Sequence, residues 1–353
     1  MNISGMGILF SRGRGVPALE QALEQGLAPP SRVALNQRTM PVYSVTAESM
    51  TDKLVLSKAR RADRLSRMAV LAAADALQDS GLSTTIDKSR LGVILATALG
   101  PHSTTFNFLD GILEFGDAAA SPTVFSHSVH NAAASYVAMT LDIRGPTLTV
   151  THFHFAFHQA VLLAQMWLQE KRCDAVLVGV SEELGAVMEY ACSQMLHPAA
   201  DGRIKPFAFS STPETVPGEG SAFFLCTPDS AAAAYGRIAV HASPPPLQNS
   251  QHTLHILEAC GMAKDETLYR KALAPDMLTA GYAPLFGSLL TGSAFHAATA
   301  ACMLKRQKQY ASPVLDNPWG VTLCSTTTSH PWTDVLCTQL DCHGAQAILH
   351  LTR

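Results

Sequence analysis

Residues 145–182 read GPTLTVTHFHFAFHQAVLLAQMWLQEKRCDAVLVGVSE. Thr147–Val150 is a short strand candidate, and Ala175–Val180 is a continuous apolar run of strand length. Between them Phe155–Glu170 has the length of a helix, with hardly a charge on any side. A strand without polar alternation is covered on both faces. A helix apolar all round is sandwiched between layers. This one stretch therefore predicts an α/β protein with a helix layer buried against a sheet.

The pattern continues on either side. Ile3–Phe10, Leu91–Ala98, Ser221–Cys226 and Ile238–His241 read as strands, with Thr322–Ser325 and Ala347–Leu351 closing the chain. Arg60–Gln78 has a basic start and then apolar residues at helical spacing; Ala132–Leu141 and Ser293–Leu304 are Ala-rich helices. Ser103 or Thr104 could cap the helix that follows Gly100-Pro101. The run Pro244-Pro245-Pro246 with Gln248-Asn249-Ser250 is the best candidate for an exposed connection between two halves.

With 353 residues, 47% of them hydrophobic and 15% charged, the chain can bury a large core. A net charge of -3 makes no global electrostatic case for nucleic acid or an anionic membrane. The eight cysteines show no CxxC and no regular framework, which fits free thiols in a reducing compartment. The first residues, MNISGMGILFSRG, lack a basic segment ahead of their short apolar run, so they make a poor signal peptide. No apolar run reaches the roughly 18 residues of a membrane span. The expectation is a soluble, cytoplasmic protein.

Four segments in order carry a resemblance. They are Gly145–Val150, Asp174–Glu182, Arg203–Phe207 followed by Val216-Pro217-Gly218-Glu219-Gly220-Ser221, and Ser288–Ala298 (SLLTGSAFHAA). Together they resemble the β-ketoacyl synthase family of the thiolase fold. The resemblance implies a five-layered αβαβα fold of two pseudo-repeated halves, here 1–230 and 231–353, forming one compact unit. Ser121–Tyr136 (SPTVFSHSVHNAAASY) further resembles the chain-length-factor-like branch of that family, including its aryl polyene members.

What the matching positions lack is informative. The family places a cysteine at the start of the buried helix, where the helix dipole and backbone N–H groups activate it. Counting from Gly145-Pro146, that position is His154. The first family histidine falls on Cys260, in Glu258-Ala259-Cys260-Gly261, and the second on Ser293. The family lysine is Ser288, and the terminal glycine-rich loop is replaced by Asp341-Cys342-His343-Gly344. A unit stripped of all these groups keeps little condensing activity. The resemblance then implies a non-catalytic chain-length factor in type II polyketide or polyene synthesis. Such a subunit pairs with an active ketosynthase, meets acyl carrier protein through that complex, and needs no cofactor and no metal. Its interface would include Thr147–Val150 and Asn131–Leu141. Its tunnel positions would be His102, Thr105 and Leu109, with Phe106 and Leu113 beside them on one helix face.

Other readings stay open. Cys260 could serve an atypical acyltransferase or hydrolase with His255 or His296 as base, or His154 itself could be acylated. The chain could also be a scaffold that only stabilises its partner. His154 and His158 at i, i+4 invite a zinc reading, but no HExxH, neighbouring carboxylate or CxxC completes a site. Glu219 reads as a structural carboxylate rather than a base. Lys58, Arg60, Arg61, Arg64 and Arg67 could dock an acidic carrier or form a solvated helix face.

Overall fold

The computed structural model describes the chain apart from residues 36–37, 196, 208–213, 232, 247–249, 260–265, 273–276, 319 and 342. In chain order, the layers are built from β1 (Asn2–Phe10), α1 (Arg64–Asp79), β2 (Leu91–Thr97), α2 (His102–Phe115), α3 (Pro122–Ser128), α4 (Ala132–Thr140), β3 (Thr147–Thr151), α5 (Ala156–Gln169), β4 (Ala175–Glu182), α6 (Ala186–Met195) and β5 (Gly220–Thr227). The later elements are β6 (Arg237–His241), β7 (Thr253–Leu257), α7 (Glu266–Ala272), β8 (Thr279–Ala280), α8 (Gly292–Arg306), β9 (Asp334–Leu340) and β10 (Gln346–Thr352).

The strands run β3-β2-β4-β5-β1 in the first half and β8-β7-β9-β10-β6 in the second. Adding five to each strand number turns the first order into the second. The directions repeat too. β2 is parallel to β3 and β4, and β5 is antiparallel to β4 and β1. β7 is likewise parallel to β8 and β9, and β10 is antiparallel to β9 and β6. The two halves meet where Asn2 of β1 pairs with Arg237 of β6.

Side-chain alternation places the layers. Ile94, Ala96, Val176, Val178 and Val180 face a central core shared with α5 and α8. Leu91, Val93, Leu95, Ala175 and Leu177 face the opposite way, onto α1 and α4. In β9, Val335 and Cys337 join the central core, whereas Leu340 packs with Leu257 and Tyr269 on the α7 side. The layers are therefore α1/α4, sheet, α5/α8, sheet, α7. α5 is buried from Ala156 to Leu168 on most of its surface, and every residue of α8 from Gly292 to Leu304 is buried. This is the thiolase-like architecture the sequence implied.

Two expectations are corrected. Thr322–Ser325 is not a strand; only Leu323 makes an isolated bridge, to Thr279. The strands that complete the second half are β7 (TLHIL) and β9 (DVLCTQL), whose polar residues interrupt the apolar run. They bury those groups in pairs, His255 Nε2 lying 2.7 Å from Thr338 Oγ1. The Pro244-Pro245-Pro246 run does not join the halves. It follows β6, inside the second one, whereas the passage from β5 to β6 spans 228–236; Gln248 and Asn249 lie outside the described residues.

β1 approaches α1 so closely that side chains do not fit. A Cβ on Gly7 would lie 2.1 Å from the Ala72 carbonyl oxygen and 2.7 Å from Ala76 N, both helix backbone. Gly7→Ala is expected to cost roughly 2 to 3 kcal/mol by overpacking, read as a lower urea midpoint at unchanged slope. An unchanged midpoint would refute this packing.

Candidate functional site

The turn from β3 into α5 is sharp because Phe155 adopts a left-handed conformation, φ 55° and ψ 16°. Such a geometry is uncommon for a bulky residue and persists where surroundings hold it. His152 and Phe153 are exposed and His154 is half-buried; the His154 N–H donates to His152 Nδ1 at 3.0 Å. His158, one turn into the helix, is buried. The zinc spacing is therefore not helical, since His154 lies before the helix. Among the described residues no three His, Cys, Asp or Glu side chains converge as a metal would require.

α5 has no side-chain cap of its own. The Phe155 N–H donates to Gln339 Oε1 of β9 at 3.3 Å, and Gln339 Nε2 donates to Glu258 Oε1 at 3.4 Å. The Ser293 N–H at the start of α8 points at the same carboxyl. Gly292 leaves room for this approach, since a Cβ there would come 2.8 Å from Glu258 Oε1. The elbow, Glu258 and Ser293 are thus brought to one place. Cys260 lies outside the described residues. Gln339 was not anticipated; it stands two residues before the Asp341 loop, where only the loop itself drew attention. In that loop Asp341 Oδ1 accepts from the N–H groups of His343 and Ala345, at 2.9 and 2.8 Å, closing the β9–β10 turn; Cys342 lies outside the described residues.

Burial governs protonation here. It pushes the Glu258 carboxyl well above the ordinary carboxylate range, so the group is neutral and can serve as donor and acceptor. Burial lowers His158 and His296 to about 3 and His255 to about 4, so all three are neutral imidazoles. His255 is occupied with Thr338, and neither ring nitrogen of His296 has a partner among the described residues.

A second polar cluster lies at the carboxyl ends of β2 and β4. Glu182 Oε1 accepts from Thr97 Oγ1 at 3.1 Å and from the Ala98 N–H. Glu183 Oε1 accepts from the Ser103 N–H at 2.9 Å and lies 3.7 Å from His102 Nδ1. Desolvation raises both carboxyls to about 7 and lowers His102. Glu219 differs in having a cation: Arg64 Nε donates to it at 2.9 Å, as do the N–H groups of Val45 and Leu184 at 2.8 and 3.0 Å. It is a structural hub, as its glycine-flanked sequence indicated. Of the basic cluster, Arg64 is committed to Glu219, Lys58 to Asp142 at 2.7 Å, and Arg67 to the Arg60 carbonyl.

The five positions singled out on α2 divide. His102 is buried, and Thr105 Oγ1 donates to the Pro101 and Ser128 carbonyls, tying α2 to the end of α3. Phe106, Leu109 and Leu113 form an exposed apolar stripe, Leu113 being 84% exposed. Phe108 instead packs on Phe125, their ring centroids 5.4 Å apart.

Residues 1–232 match the family model of the β-ketoacyl synthase N-terminal domain. The chain belongs to the β-ketoacyl synthase family. The ketoacyl synthase alpha subunit of the tetracenomycin polyketide synthase of Streptomyces glaucescens is 25% identical over 247 residues, covering 65% of this synthase-family chain and 58% of the relative. A β-ketoacyl synthase from Burkholderia phymatum superposes with a TM-score of 0.79 at 16% identity over 100% of this chain and 98% of its own. A ketosynthase in complex with its chain length factor from Xenorhabdus doucetiae gives 0.75 at 16% identity, over 99% and 97%. The structural matches establish the fold. The aligned stretches span about half the length of the curated relatives.

For Glu182 the sign follows from a folded-state value raised to about 7 from 4.5. Its contribution is complete below pH 4.5 and is lost as pH rises through 7. Glu182→Gln is expected to remove up to about 3 kcal/mol of that decline, measured by urea unfolding from pH 4.5 to 8. Identical pH slopes in both proteins would refute the burial-driven shift.

Proposed function

We propose that this chain is a non-catalytic subunit of the chain-length-factor type, which pairs with an active ketosynthase in type II polyketide synthesis and walls the passage of the growing chain. The observation that carries the reading is the sheet edge at β3. β3 ends the strand order with one side unpaired among the described residues, and its own residues are exposed or half-buried. An unpaired edge is a template for another chain, and isolated proteins blunt it. Leu148 on this strand, Phe153 just after it and Met139 on the neighbouring α4 are exposed. An open groove of about 420 Å³ runs along it, between His130, Asn131 and Ser135 on one side and Thr147, Leu148 and Thr149 on the other. Exposed apolar surface of this extent marks a partner site.

The residues at the elbow support the same reading. His154 stands where the family resemblance calls for a thiol, and Ser293 where it calls for an imidazole. An acyl-imidazole hydrolyses readily and is a poor chain carrier. The partner subunit would supply the thiolate, and the acyl carrier protein would be met through the complex. Phe106, Leu109 and Leu113 would face the passage. The Ser121–Tyr136 resemblance points to aryl polyene products.

Co-expression with an active type II ketosynthase tests the proposal. The expected result is co-purification as a heterodimer, weakened at least tenfold by Leu148→Arg, with circular dichroism unchanged because the position is exposed. Leu109→Trp is expected to shorten the product and Leu109→Ala to lengthen it. An acyl adduct on Cys260 or His154 by intact mass, or turnover by the chain alone, would instead favour the acyltransferase reading. Unchanged product length in an assembled complex would favour the scaffold.

A further inference from the structure

The face of the second half-sheet turned away from the central core carries side chains that the proposed function does not use. They are Asp334 of β9, His350 of β10 and His241 of β6. Asp334 Oδ1 accepts from His350 Nε2 at 2.7 Å, and Oδ2 accepts from the Thr333 hydroxyl at 2.7 Å. Both carboxylate oxygens are engaged, so the His350 ring is held in one orientation. A carboxylate only accepts, so Nε2 carries the proton and Nδ1 keeps the lone pair of the neutral imidazole.

His241 reaches the same place from the neighbouring strand. In the β6–β10 register His241 lies opposite Ile348, two residues from His350, so the two rings are diagonal neighbours on one face. Their centroids are 5.5 Å apart and their planes are tilted by 54°. A shared cation asks for this spacing. A nitrogen about 2.1 Å from a zinc ion puts its ring centre about 3.2 Å away, and two such rings at the tetrahedral angle have centres about 5.2 Å apart. Both histidines are half-buried, so an ion can reach them from solvent while the strands fix their positions. Arg237, the one Lys or Arg on these three strands, is paired with Asp229 at 2.8 Å. A carboxylate behind a ligating imidazole is the arrangement that orients metal-bound histidines. Structural zinc takes four protein ligands. Here no set of three converges among the described residues, so water would fill the remaining positions and the ion would exchange.

We propose that His241 and His350, with Asp334 behind His350, form an exchangeable site for a divalent cation of the zinc or copper class, which fastens β6 to β10. Imidazole nitrogens favour such ions over magnesium and calcium, which prefer oxygen. β6 also meets β1 where Asn2 pairs with Arg237, so the ion would brace the second half beside its seam with the first. Such a site depends on neither the partner subunit nor the tunnel.

The test is calorimetric titration of the full chain, freed of metal by chelator, with zinc chloride at pH 7.5. The expected result is one ion per chain. Affinity is expected to fall at least tenfold in His241→Ala and in His350→Ala, and roughly tenfold in Asp334→Asn. His343→Ala, which removes an exposed histidine outside the pair, is expected to leave it unchanged. Zinc affinity kept in both pair variants would mean an adventitious ion only and overturn the site, as would no binding to the unaltered chain or equal affinity for magnesium chloride. Where a variant fails to fold, electron paramagnetic resonance of the unaltered chain with one equivalent of copper(II) decides the question. Coupling to two imidazole nitrogens is expected, and any other number would overturn the pair.

Discussion

Two apolar helices, α5 and α8, are buried between two half-sheets, and neither brings a side-chain cap of its own. The first N–H groups of a helix have no intrahelical partner, and a dry interior cannot hydrate them. The rest of the site depends on how that demand is met. Gln339 reaches the Phe155 N–H from β9, Glu258 receives Gln339 from the end of β7, and the same carboxyl faces the Ser293 N–H. A polar chain therefore crosses the central layer and links both helix starts to the second half-sheet.

The buried acids separate by whether a cation is within reach. Glu219 has Arg64 and two backbone N–H groups. Glu182, Glu183 and Glu258 have hydrogen bonds but no direct ion pair with a Lys or Arg among the described residues, and desolvation outweighs those bonds in all three. Removing an ion from water is expensive in a low-dielectric interior, so such groups gain a proton instead.

The outer face shows the complementary feature. Inward-facing residues of β2 and β4 are fully covered, yet β3, the next strand, is left with an unpaired side amid exposed apolar residues. Repetition of one strand order in both halves explains why the edge exists: β3 and β8 occupy equivalent ends. At the β3 end, α4 and α5 pack against the strand, and Leu148, Phe153 and Met139 are exposed there.

The run of residues 145–182 was enough to predict a helix buried against a sheet, because apolar periodicity is a local property that burial enforces directly. The order of motifs carried the family resemblance and with it the thiolase-like layers. Strands β7 and β9 escaped, since His255, Thr338 and Gln339 look unfit for a core until their partners are known. Gln339 and Glu258 are 81 residues apart, and no local pattern announces that pairing. On α2 the helical spacing put His102, Thr105 and Leu109 on one face with Phe106 and Leu113 beside them, but it could not say that His102 is buried and Thr105 half-buried while the other three are exposed. Sequence determines which surfaces must be buried. Only the tertiary structure decides which buried polar groups meet, because a hydrogen bond depends on distances of about 3 Å between segments that are remote along the chain.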